Sequence, residues 1–138
     1  MPIVIDIAFY AAFALFATTT VTSFLYLRGD RPNMLDMTER AISIAGGLLF
    51  VTICMRWIYF GRIPLTTMVD IVNLLLFMST VIVAILVRKD MLRPLTCYYA
   101  PPLAALSLMN VALGFNKLHQ APKELNDVFL AVHVGLAF

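Results

Sequence analysis

Apolar residues run almost unbroken through 3–27, 41–60, 68–87 and 95–115, each stretch closed by a short polar segment, and a fifth apolar run occupies 128–138. About 20 apolar residues are enough for a helix to cross a bilayer, so the pattern predicts four full spans and the start of a fifth. RGDRPNMLDMTER reads as the first polar loop, with Thr38 placed to cap the second helix. GRIPLTT reads as the second turn, in which Pro64 suits the first turn of the third helix. RKDMLRP closes that helix, and NKLHQAPKELNDV separates the fourth run from the fifth. Gly46-Gly47 offers a point of close helix packing in the second span. Pro101-Pro102 removes two backbone donors from the fourth, which predicts a kink or a local break. The expected fold is all-α: a polytopic membrane helix bundle of four full transmembrane helices plus a truncated fifth, a single transmembrane domain over 1–138. A run of about ten residues does not span, so either this tail lies at the membrane interface or, the favoured reading, the chain is the N-terminal portion of a longer polypeptide.

Composition agrees with that picture. Apolar residues make up 62% of the 138 and charged ones 13%, against about 45–50% and about 25% in an ordinary soluble domain. The net charge is +2 with the basic residues scattered between apolar runs, which excludes nucleic acid as an expected partner. Arg28, Arg31, Arg40, Arg88, Lys89 and Arg93 fall on one side of the predicted topology, and Arg56, Arg62, Lys117 and Lys123 on the other. Positive residues favour the cytoplasmic side, so the N-terminus, the GRIPLTT turn and the start of the fifth run are expected outside. The first run lacks a basic n-region and reads as a retained span. Cys54 and Cys97 lie far apart in apolar surroundings, without the spacing of a redox or metal pair.

Charge inside the spans narrows the search for a site. Arg56 stands about one turn from the end of its helix, where it either snorkels to the headgroups beside Trp57 and Tyr59 or serves a site. In the second case Arg56 or Arg62 pairs with Asp70 or contacts an anionic group such as a propionate or a lipid phosphate. Asp70 lies near the positive end of its helix dipole, with Asn73 on the same face. An unpaired charge in hydrocarbon costs at least about 2.5 kcal/mol, so this face is expected to turn toward protein. His119 sits in a polar loop. His133 sits in the fifth apolar run, where it either bonds to a neighbouring helix or ligates a metal or heme iron through its neutral imidazole. No nucleotide loop, nucleophilic catalytic set, zinc spacing, paired carboxylates or CxxCH motif is present.

Two stretches carry a resemblance. RWIYFGRIPLTTMVD contains Arg56-Trp57, Gly61, Pro64-Leu65, Thr66-Thr67 and Asp70, in the order of the RW, G and PL-S-N-L-Y-E-S elements of CcsA/ResC-type cytochrome c assembly membrane proteins and their HemX-like relatives. KELNDVFLAVHV similarly resembles that family's P-A-L-Q-S-x-W-L-x-x-H-V, with Leu125, Asn126, Asp127, Phe129 and His133 in the matching positions. The resemblance covers most of the chain. It implies that His133 corresponds to an external histidine that serves as one of two axial ligands to heme iron. Such proteins form part of a cytochrome c heme lyase or synthase: they hold heme at the outer face of the bacterial cytoplasmic or plastid thylakoid membrane for attachment to CxxCH thiols. Heme is thus the implied cofactor, with apocytochrome c and a CcsB/ResB-like protein as implied partners. The tryptophan-rich WGxxWxWD motif of the family is not among these residues, and no catalytic residue is assigned. The alternatives are a cofactor-free helical membrane scaffold or assembly subunit, and a transporter fragment, to which the Pro101-Pro102 pair points.

Overall fold

The computed structural model describes residues 2–29, 33–61, 67–88 and 90–112. Among them every regular element is helical: α1 Pro2–Leu27, α2 Met34–Phe60, α3 Met68–Val87, a 3₁₀ segment Asp90–Leu95, and α4 Thr96–Ala112. α1, α2 and α3 are long and apolar enough to cross a membrane, which makes this an all-helical integral membrane protein. The expected four full spans reduce to three among the described residues. α4 is described over 17 residues, Thr96–Ala112, and the rest of the expected fourth span, 113–115, lies outside the described residues. The run at 128–138 lies outside the described residues. α1 packs on α2 and α4, and α3 packs on the same two helices, so the four close into a ring of antiparallel neighbours.

Each helix buries a narrow stripe whose members alternate four and three residues apart, the spacing of a coiled-coil seam. In α1 the stripe is Ile5, Phe9, Ala12, Phe16, Thr19 and Ser23; in α2 it is Thr38, Ile42, Ala45, Leu49, Thr52 and Arg56. α3 contributes Val69, Asn73, Leu76, Thr80 and Val83, and α4 contributes Thr96, Ala100, Leu103, Ser107 and Asn110. The remaining faces expose large apolar side chains such as Ile7, Phe24, Ile44, Ile58, Ile82 and Ile85, as a lipid-facing surface requires. The middle of the seam is mostly apolar, and polar residues gather towards its two ends. Five of the buried hydroxyls on these stripes are satisfied locally: Thr19, Ser23, Thr52, Thr80 and Ser107 each donate to a carbonyl three or four residues back, at 2.6–2.9 Å, whereas the Thr96 hydroxyl has no such bond. Hydrocarbon offers no alternative acceptor.

The helix ends correct several expectations. α2 starts at Met34, seven residues before the expected start at 41, and Asn33 occupies the N-cap without a side-chain cap bond. Thr38 is therefore no cap. It lies one seam step before Ile42, fully buried, donating to Met34 O at 2.8 Å and sharing a 2.7 Å hydroxyl contact with Thr22 of α1. Continuity of the buried stripe extends the helix through polar residues that read as loop. Asp36 in the first turn also suits the helix dipole. α2 ends at Gly61, whose left-handed φ of 62° lets its N–H reach Trp57 O at 2.9 Å. Pro64 lies outside the described residues, and α3 begins instead behind the extended Thr67. RKDMLRP, expected as loop, supplies all but the last residue of the 3₁₀ segment Asp90–Leu95. α4 continues unbroken through Pro101 and Pro102: the two prolines lie past its first turn and remove two intrahelical donors, and the helix persists despite their loss.

Arg93 fastens the 3₁₀ segment to the start of α2. Its Nε donates to Glu39 Oε1 at 2.9 Å, and its Nη2 to Glu39 Oε2 at 2.7 Å and Asp36 Oδ1 at 2.6 Å. The bonds to Glu39 and then to Asp36 raise the guanidinium pKa above its already high ordinary value. Arg93 thus holds the α3–α4 connection against α2 with a permanent charge.

Candidate functional site

The polar residues that the sequence singles out come together where α2 ends and α3 begins. Arg56 and Asp70 are 14 positions apart, and α2 and α3 bring Arg56 Nε to 2.8 Å from Asp70 Oδ1, with each residue only 4% exposed. Arg56 therefore does not snorkel: its position on the seam turns it into the bundle. Its guanidinium also lies 5.3 Å from the ring centroid of Phe60, a cation–π distance. Trp57 and Tyr59 point the other way and are exposed, as an interfacial aromatic belt requires.

The second oxygen of Asp70 is held by the cap of its own helix. Thr67 Oγ1 donates to Asp70 Oδ2 at 2.7 Å and accepts from the Asp70 backbone N–H at 3.2 Å. Thr67 and Asp70 thus form a compact variant of the capping box, with the acid three residues after the cap. Both carboxylate oxygens are engaged, one by each helix. Replacing Thr67 with Ala is expected to cost about 0.5–2 kcal/mol, the usual loss of an N-cap, as a fall in thermal midpoint in detergent; an unchanged midpoint would contradict the cap.

Directly inward along the seam, Asn110 Nδ2 of α4 donates to Asn73 Oδ1 of α3 at 2.7 Å, and both side chains are fully buried. The site thus joins α2, α3 and α4 through an ion pair and an amide pair. Sequence reading finds Arg56, Asp70 and Asn73 but misses Asn110 and Thr67. The T-x-x-D spacing of a cap marks Thr67, and the four-three spacing from Leu103 and Ser107 marks Asn110.

Arg62, His119 and His133 lie outside the described residues. Among the described residues no cluster of three His, Cys, Asp or Glu side chains could hold a metal ion. The donor chemistry of Arg56 and Asp70 does not fit direct ligation of a heme, since they are buried and engage each other. The pair instead ties the end of α2 to the start of α3. Comparison with known proteins finds no matching family model, no matching curated protein and no matching solved structure. The class is therefore set by the fold alone: an integral membrane helix bundle with a charge-paired polar end.

Proposed function

We propose that the chain belongs to the cytochrome c assembly machinery of the CcsA/ResC and HemX-like kind, and that it holds heme at the outer face of a bacterial cytoplasmic or plastid thylakoid membrane for attachment to apocytochrome c. The observation that carries this reading is the Arg56–Asp70 pair. The two charged ends of the first resembling stretch, 14 positions apart, meet at 2.8 Å, so the end of α2 and the start of α3 are held together where the resemblance lies. In this reading α4 extends into a fourth full span, 128–138 opens a fifth, and the N-terminus lies outside. The α2–α3 end then faces the same side as His133, which supplies an axial imidazole to heme iron. His133 would hold the iron through its neutral imidazole, and the heme so held would be available for thiol attachment. In this reading Arg62 meets a heme propionate, and a CcsB/ResB-like protein completes the assembly. The test is complementation of a bacterial strain deleted for its own CcsA-type protein. Covalently heme-stained cytochrome c in the complemented strain supports the reading, and its absence with the protein present in the membrane counts against it.

A second reading rests on the same geometry. Arg56, Asp70, Asn73 and Asn110 all bond between or within helices, as they would in a cofactor-free scaffold or assembly subunit. Under that reading, exchange of Asp70 for Asn lowers stability and the protein carries no heme. A transporter fragment loses its motive, because α4 is not broken at Pro101-Pro102.

A further inference from the structure

The amide pair beneath the ion pair is incompletely bonded. Asn110 Nδ2 donates to Asn73 Oδ1, while Asn73 Nδ2 and Asn110 Oδ1, both fully buried, have no protein partner. Exchanging oxygen and nitrogen in both side chains reverses the bond and leaves the same remainder, one amide nitrogen and one amide oxygen. The remainder calls for one acceptor and one donor. Lipid supplies neither.

Helix geometry brings a residue of α2 to the level of this pair. α2 and α3 are antiparallel and Arg56 meets Asp70. Four residues back on α2 and three residues on along α3 therefore reach one level, that of Thr52 and Asn73. Thr52 is fully buried on the α2 seam, and its hydroxyl donates to Leu48 O at 2.9 Å, which leaves the oxygen able to accept.

We propose that Asn73, Asn110 and Thr52 line a site for one buried water molecule. The water accepts from Asn73 Nδ2 and donates to Asn110 Oδ1 and Thr52 Oγ1. A water with about three bonds to buried polar groups is the usual form of internal hydration, and it is the smallest molecule that accepts and donates at once. α2, α3 and α4 are then joined at this level through an exchangeable molecule, one turn below the fixed charge pair. The site is independent of any heme function.

Infrared difference spectra of the bilayer-reconstituted protein in H₂¹⁶O and H₂¹⁸O test it. The expected result is an isotope-shifted band of a sequestered water O–H stretch, lost in the Asn73→Leu, Asn110→Leu double variant and kept in Ser43→Ala, whose hydroxyl is exposed on α2. A band that persists in the folded double variant overturns the proposal. A wild-type density map that resolves waters decides it independently of that variant's folding. A water between the amides supports the site, and two direct amide–amide bonds with no water between them overturn it.

Discussion

Replacing Asp70 with Leu is expected to lower stability by about 3–5 kcal/mol, the cost of leaving a buried charge without its partner. Arg56 is 5% exposed at its side chain and sits inside the bundle with its Nε on Asp70, so its charge is shielded from bulk solvent once the carboxylate is lost. The Asp70→Leu change also removes the Thr67 hydroxyl bond, which loosens the start of α3. The double variant Arg56→Met, Asp70→Leu is expected to recover most of the loss. Replacing a whole buried ion pair by apolar groups of similar volume is often neutral or stabilising. Thermal unfolding of the wild type, the two singles and the double in one detergent gives the coupling directly. Strictly additive single losses would show that the pair is not coupled, contrary to the 2.8 Å contact.

Gly46→Ala is expected to cost about 1–3 kcal/mol, the range for overpacking a well-filled core. A Cβ built on Gly46 falls 2.6 Å from Thr80 Oγ1 and 3.1 Å from Thr80 Cβ. The hydroxyl cannot rotate away cheaply, because it donates to Phe77 O at 2.7 Å. Combining Gly46→Ala with Thr80→Ala is expected to recover part of the loss. The neighbouring glycine is the control: a Cβ at Gly47 meets nothing within 4 Å, so Gly47→Ala is expected to be neutral or to stabilise by up to about 1 kcal/mol through helix propensity. Equal losses at Gly46 and Gly47 would refute the close approach of α2 and α3.

These two positions show what the sequence makes legible. The spans at 3–27 and 68–87 match α1 and α3 closely, because hydrophobicity over a span's length is a strong signal. The buried side of each helix is not legible from hydrophobicity, since Leu49 in the core and Ile58 towards lipid are equally apolar. The four-three spacing of polar and small residues carries that information instead: Thr38, Ala45, Thr52 and Arg56 on α2 lie on one stripe. Reading Thr38 as a cap comes from weighing local polarity above that stripe. Gly46-Gly47 is legible as a packing point, but only the seam tells which glycine packs. For the site, charge in an apolar span announces Arg56 and Asp70, and the expense of isolating either one makes their pairing one of the readings, beside snorkelling of Arg56 and pairing through Arg62. Asn110 stays hidden because a lone Asn near a helix end reads as polar edge.

The most direct test of the proposed heme function is the heme content of the purified, membrane-extracted protein, measured as pyridine hemochrome in the wild type and in His133→Ala. Heme that copurifies with the wild type, falls several-fold in the variant and returns on addition of imidazole is the predicted result. No heme in either protein, or equal heme in both, would contradict a ligand role for His133 and leave the Arg56–Asp70 clamp as the core of a cofactor-free scaffold.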